Sequence, residues 1–232
     1  MNDRLEDYAH FKVSEKPPFK MKTETDMERF RYRTWRIKEP ETIAWIESFD
    51  PHDIFFDVGA NVGVYSLYAA SLFPKMTIHA FEPMWMNYEV LKMNIKANGF
   101  NILPWSVAVG NYDGQDLLDI PDAEAGKSGA QISNNGVYAV KVIKIDTLLV
   151  YPHHVKIDID GRELQVILGM RRALSRAKSI LVEVGRQSRQ PIMDIMTGAG
   201  FTTDNRFNTM SPHSRERRER EGIDAENIVF TR

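Results

Sequence analysis

Short apolar runs alternate along this chain with longer stretches in which apolar positions return every three or four residues, the signature of repeated strand–helix units. The runs predict strands at 54–58, 76–81, 102–109, 155–159, 179–184 and 226–231, with another extended stretch at 138–145. The helical period predicts helices over 62–72, through Tyr88, Leu91 and Ile95 to a stop at Asn98-Gly99, over 163–175, and over 190–199 before Gly200. A short helix over 39–50 is expected to lead in. Glu39, Pro40 and Glu41 put a proline and acids in its first turn, and Ile43, Trp45, Ile46 and Phe49 follow before Asp50-Pro51. Such alternation argues for an α/β fold built on a mainly parallel sheet. The pattern lapses at Asp113-Gly114, at 119–122 and over the Gly-, Ser- and Asn-containing stretch 126–136, which reads as a hairpin or loop excursion. The mixed charges of 215–221 read as a solvated helix or loop.

Composition narrows the function. A chain of 232 residues, 43% hydrophobic, is long enough for one core that buries roughly 70% of the unfolded surface. Residues 39–232 are expected to form that domain. Residues 1–38 are set apart by Lys12, Lys16, Lys20, Lys22, Arg29, Arg31, Arg33, Arg36 and Lys38, and read as a basic, solvated arm; covering an acceptor site or joining two copies in a homodimer are its alternatives. Thirty Lys and Arg against 32 Asp and Glu give a formal charge of -2, so neither nucleic acid nor an anionic membrane is an expected partner. With no signal-peptide pattern and no apolar run of membrane-spanning length, a cytoplasmic protein is expected. The absence of cysteine leaves the chemistry to carboxylates, imidazoles, hydroxyls, amines or a cofactor.

The sharpest chemical segment is Asp57-Val58-Gly59-Ala60-Asn61-Val62-Gly63, between a buried strand and a helix. Its glycines let a ligand approach the backbone closely. The dinucleotide fingerprint is G-x-G-x-x-G, whereas here the spacing is G-x-x-x-G and Asn61 stands where a pyrophosphate needs glycine. A cofactor without a pyrophosphate is therefore expected, and Asp57 suits a cationic amino group or ordered water. Glu82, 25 positions on at the end of the second strand, has the spacing of a carboxylate that accepts from both ribose hydroxyls. Lys156, Asp158 and Asp160 share one face of a later strand by alternation. Asp158 and Asp160 fall at the carboxyl end where ligands bind, with Glu183 ending the next strand; the plainer alternative pairs Lys156 with Asp158 and makes Asp160 a helix cap. No set of six oxygen ligands is apparent, so no metal is expected. His153-His154 read as surface histidines, and Met84, Trp85, Met86, Tyr88 and Met93 as packing residues. Ser66 and Ser128 lack an identifiable base, which leaves a hydrolase unsupported.

These segments, read as EPETIAWIESF, FFDVGANVGVYSLYAA, HAFEPMWMNYEVLKMNIKANG, VKIDIDGRELQVILGM and SILVEV over roughly 39–200, resemble the FkbM family of class I S-adenosylmethionine-dependent O-methyltransferases. The resemblance implies a Rossmann-like fold, a mostly parallel seven-stranded sheet flanked by helices, with an N-terminal extension. It implies S-adenosyl-L-methionine as cofactor and a hydroxyl of a sugar, glycan or natural product as acceptor. Asp57, Gly59, Asn61 and Gly63 would surround the methionine portion, Glu82 would hold the ribose, and Ala108 and Val109 would line the adenine. Asp158 and Asp160 are the catalytic candidates, with Lys156, Glu163 and Glu183 toward the acceptor. The chain departs from the family in carrying Asp160 where Glu is usual. Two rivals remain: a cofactor-binding module with a decayed site, and an NAD(P)-dependent oxidoreductase, which the glycine spacing disfavours. Base methylation would call for an Asn/Asp-Pro-Pro-aromatic segment, which is missing.

Overall fold

The computed structural model describes residues 16–120, 124–133, 135–207 and 225–232. Lys12, positions 121–123 and 134, and the charged stretch 215–221 lie outside them. In chain order the elements are α1 (Asp26–Thr34), α2 (Pro40–Glu47), β1 (Ile54–Val58), α3 (Val64–Leu72), β2 (Thr77–Phe81), α4 (Trp85–Asn98), β3 (Ile102–Trp105), β4 (Ala108–Val109), β5 (Gly114–Asp119), β6 (Gln131–Ile132), β7 (Tyr138–Ile143), β8 (His154–Ile157), α5 (Glu163–Leu168), α6 (Arg171–Leu174), β9 (Ser179–Gly185), α7 (Arg189–Gly198), β10 (Thr202–Thr203) and β11 (Ala225–Thr231).

Seven strands form the main sheet in the order β10-β11-β9-β8-β1-β2-β3. The five from β9 to β3 run parallel, and β11 returns antiparallel against β9. Each central strand is buried on both faces, as a parallel sheet with helices on either side requires. Phe55, Ile78 and Ala80 pack toward α2, α3 and α4, while Phe56, Phe81, Val155 and Ile157 pack toward α5, α6 and α7. The chain moves from β1 to β2 on one side and from β8 to β9 on the other. The sheet therefore reverses its winding between β1 and β8, where open α/β sheets bind ligands.

Two elements depart from the sequence expectation. The run 102–109 is not one strand: β3 ends at Trp105, and β4 joins a second sheet of order β4-β7-β5-β6, into which the excursion folds. Helix 163–175 is broken between α5 and α6, where Gly169 rests on the Gly110 carbonyl so closely that a Cβ would stand 1.9 Å from its oxygen. Trp85 and Met93, expected to pack, are exposed, whereas Met84 is buried. Among the described residues no helix is long and apolar enough to cross a membrane.

The basic arm is not a solvated extension over its described part. Phe19 and Trp35 are buried in the core, and the Lys20 and Lys22 amides donate to Asn98 and Asn94 of α4 at 2.7 Å each. A capping box between Thr25 and Glu28 starts α1.

His154 is also not a surface residue. At the amino end of the sheet its Nε2 lies 2.9 Å from Asp53 and its Nδ1 lies 2.7 Å from the Ser179 hydroxyl. Asp53 accepts from Lys178 as a carboxylate, so Nε2 carries the proton and Ser179 donates to Nδ1. The order Ser–His–Asp is that of a hydrolytic triad, but all three are buried and the Ser179 oxygen already accepts from the Trp45 indole at 2.8 Å. Its role is structural. Burial pushes the His154 pKa from 6.5 down to about 4. The unfolded chain then binds the extra proton between these values, so stability is full above about pH 6.5 and drains as pH falls toward 4. Between pH 7 and pH 5, the wild-type protein is expected to lose about 2 kcal/mol more than His154→Gln in urea unfolding. Parallel pH profiles would refute the assignment.

Candidate active site

The ligand-binding edge is built where β1 and β8 end side by side. Gly59 follows β1 with φ +82°, and a Cβ there would lie 1.9 Å from the Asp158 carbonyl oxygen. Only glycine allows the two strand ends to approach this closely. Beyond it the Gly59 and Ala60 amides donate to the Phe81 carbonyl, which ties the loop to the end of β2. There Glu82 accepts from the amides of Asn61 and Met84, at 2.9 Å each. Burial pushes the Glu82 pKa up to about 7 although those hydrogen bonds pull it down.

Glu82 opens on a cleft of about 930 Å³ whose wall also includes Gly59, Asn61, Asp158, Asp160 and Glu183. Six residues singled out from four separate stretches of sequence thus meet in one place. An apolar pocket containing Val58, Phe81, Ala108, Val109 and Leu118 adjoins the cleft, and both are walled by Gly59, Pro83, Ala130 and Ile159.

Four other candidates lie behind the wall. Asp57 is fully buried and accepts from the Ser66 hydroxyl at 2.7 Å, and Gly63 is packed against Leu91. Glu163, expected near the acceptor, is sealed and takes the Gly161 amide at 2.8 Å, closing the turn that carries Asp160. Lys156, also expected there, is 1% exposed and reaches the Asp158 carboxylate at 2.8 Å. The pairing foreseen for Lys156 and Asp158 is therefore present, but Asp160 does not cap α5. It adopts φ +57° and accepts from the Gly129 amide at 2.7 Å.

That contact belongs to a cover the sequence reading did not find. The Lys127 carbonyl accepts from Asn61 at 2.7 Å and from Asn87 at 3.1 Å, and Gln131 donates to the Asp160 carbonyl. Segment 125–131 is pinned in this way across the cleft. On its outer side Thr25 donates to the Ala125 carbonyl and Arg31 to the Gly126 carbonyl. Arg31, Lys38 and Lys127 consequently join the cleft wall. The Thr25-x-x-Glu28 capping box is the one local signal that could have announced α1.

A polar cleft holding the buried Glu82 carboxylate, with an apolar pocket beside it, offers room for one ligand that carries charged, polar and apolar parts. Among the described residues no group of three or more His, Cys, Asp or Glu could hold a metal ion.

Comparison with known proteins bears on the family and the fold. The methyltransferase FkbM domain family matches residues 57–203. The chain is 28% identical over 160 residues to the hexuronic acid methyltransferase AglP of Haloferax volcanii, covering 65% of each protein. It is 46% identical over 44 residues to the 31-O-demethyl-FK506 methyltransferase FkbM of Streptomyces tacrolimicus, 19% of this chain and 17% of that one. Among solved structures, a methyltransferase FkbM from Methylobacillus flagellatus superposes with a TM-score of 0.58 at 15% identity, over 89% of this chain and 52% of the other. The ribosomal protein L11 methylase of Lactobacillus delbrueckii subsp. bulgaricus shares the fold with a TM-score of 0.52 at 10% identity, over 83% and 76% of the two chains. The chain thus spans less than two thirds of the haloarchaeal relative and about half of the Methylobacillus protein.

Proposed function

The chain belongs to the FkbM methyltransferase family, and on that premise we propose that it is an S-adenosylmethionine-dependent O-methyltransferase acting on a hydroxyl of a sugar, glycan or natural product. The observation that carries the reading is the convergence of Gly59, Asn61, Glu82, Asp158 and Asp160 on one cleft at the β1/β8 switch point. The names of two relatives, one a hexuronic acid methyltransferase and one a 31-O-demethyl-FK506 methyltransferase, set the first acceptors to try.

In this reading Glu82 accepts from the ribose hydroxyls, the pocket of Ala108 and Val109 takes the adenine, and Gly59 and Asn61 border the methionine portion. The cofactor, when bound, supplies a methyl group on a sulfonium. The chain's own task is to align an acceptor oxygen with that methyl and to receive the proton the oxygen loses. An alkyl hydroxyl is too weak an acid to ionise first, so a carboxylate takes the proton as the new bond forms. Alignment is the larger contribution, on the order of 7–11 kcal/mol against a 10²–10⁴-fold effect of the base. Asp160 is the base. Burial and the neighbouring Asp158 charge raise its proton affinity, whereas Asp158 is held below the ordinary carboxylate range: burial pushes it up, and the charge and hydrogen bond of Lys156 together with the Lys38 charge pull it down further. A pair of carboxylates driven apart in this way marks separate roles.

Thermal unfolding tests the cofactor assignment. At about 100 times its Kd, S-adenosylmethionine or S-adenosylhomocysteine should add about 2.7 kcal/mol and raise the Tm by roughly 5–10 °C, with no shift from NAD. Protection by NAD alone would refute the reading.

A further inference from the structure

A lysine sealed inside a parallel sheet needs a reason, because an ammonium is costly to bury without compensating charge. Lys156 has an unusually complete surround. Its ammonium stands 2.8 Å from Asp158 and 5.0 Å from the centre of the Tyr65 ring, whose face attracts a cation. The Tyr65 hydroxyl donates to Glu39 at 2.8 Å, and Glu39 is paired with Lys38 at 2.7 Å. Charges of alternating sign thus run from Lys38 in the cleft wall, behind it through Glu39 and Lys156, and back to the wall at Asp158. The two ends of the Lys156–Asp158 pair differ in exposure: the lysine side chain is 1% exposed and the carboxylate 25%. No acceptor can touch the ammonium. Its effect reaches the cleft only through the carboxylate it holds.

We infer that Lys156 is a positioning residue, fixing Asp158 as a permanently ionised counter-charge for the cationic end of the cofactor and so leaving the proton of the acceptor to Asp160. The inference rests on the proposed use of S-adenosylmethionine. The groups that bear on Asp158 are Lys156 on β8, Asp57 on β1, Tyr65 on α3, Lys38 and Glu39 ahead of α2, and Asp160 and Glu163 in the turn and helix after β8, with Arg31 of α1 and Glu183 of β9 on the same cleft wall. Of the cations, only Lys156 is both sealed from solvent and in contact with the carboxylate. Lys38 and Glu39 precede the segment matched by the family, which begins at residue 57.

Binding of S-adenosylmethionine and S-adenosylhomocysteine, measured by calorimetry from pH 5 to pH 8 on the full chain, tests this without an acceptor. The two ligands differ by the methyl group and the sulfonium charge, so the ratio of their Kd values reports the counter-charge. In an Asp160→Asn background, where the other cleft carboxylate of raised proton affinity no longer titrates beside the sulfonium, the preference for the sulfonium should be the same at pH 5 as at pH 8. With Lys156→Met added it should shrink on acidification, by about tenfold or more at pH 5, as Asp158 takes up a proton, and Lys156→Arg should restore the flat profile. A preference that falls below pH 7 in the Asp160→Asn background, or a profile for Lys156→Met in that background that tracks it, overturns the inference. Should Lys156→Met fail to fold, Asp158→Asn in the same background decides with that curve: its sulfonium preference should be lost at every pH, and an unchanged preference refutes the role. Failure of both ligands to bind the wild type at any pH would instead sink the cofactor assignment, and this inference with it.

Discussion

Glu82→Gln should weaken S-adenosylhomocysteine binding by about a hundredfold or more while changing the stability of the protein at pH 8 by no more than about 1 kcal/mol. The affinity loss follows from removing charge-assisted hydrogen bonds to ribose hydroxyls, each worth about 1.5–3 kcal/mol. The stability effect follows from linkage. Burial lifts the Glu82 pKa from 4.5 to about 7, so the folded protein binds the extra proton between these values. The stability this group contributes is therefore full below about pH 4.5 and lost as pH rises through 7. At pH 8 the buried charge costs up to about 3 kcal/mol; glutamine removes it but turns an NH2 group toward one of the Asn61 and Met84 amides, a loss of about 1–3 kcal/mol that offsets much of the gain. A residue that destabilises the fold while serving a ligand is expected at a functional site and hard to explain otherwise. Wild-type affinity should rise about tenfold from pH 6 to pH 8, with proton release on binding, because the ribose needs the ionised form. Calorimetry in buffers of different ionisation enthalpy checks both points. A pH-independent affinity would remove Glu82 from the ribose.

The parts of this site that were legible in the sequence are those fixed by local geometry. Strand period two sets Lys156 beside Asp158, though β8 ends at Ile157 and Asp160 sits in a left-handed turn that alternation does not describe; a glycine loop after a buried run marks the ligand edge, and Glu82 is placed by its distance from that loop. The illegible parts depend on contacts between remote residues. Thr25 meets Ala125 across 100 positions and Asn61 meets Lys127 across 66, and no local pattern encodes such pairings. His154 looked like a surface residue because its neutralising partners, Asp53 and Ser179, lie 101 and 25 positions away. The same reason explains the arm: its many cations suggested solvent, but Phe19 and Trp35 bury themselves beside Tyr68 of α3 and carry the basic residues with them. Lys156 is the instructive case. Alternation aimed it correctly at Asp158, but only the packing of Tyr65 and Glu39 shows that it is closed off from the acceptor.

Asp160→Asn should cut methyl transfer by about 10²–10⁴-fold, the usual contribution of a general base, while S-adenosylhomocysteine affinity stays within about threefold of the wild type. The substitution is mild for the structure. Asparagine tolerates the left-handed conformation that Asp160 adopts at φ +57°, and its amide oxygen still accepts from Gly129. What it loses is the ability to accept the acceptor's proton. Because burial and the Asp158 charge both raise the Asp160 pKa above 3.8, the wild-type rate should fall on its acid limb at a pH above the ordinary aspartate range, and that limb should vanish in the variant's residual activity. Asp158→Asn is expected to behave differently, weakening S-adenosylmethionine more than S-adenosylhomocysteine. Product formation measured on a panel that includes hexuronic acids and 31-O-demethyl-FK506 separates the two. If Asp160→Asn kept most of the turnover and Asp158→Asn lost it, the proton would belong to Asp158. Tight cofactor binding by the wild type with no turnover on any acceptor would favour a site in which the shorter Asp160, standing where the family usually has Glu, no longer reaches the reacting oxygen.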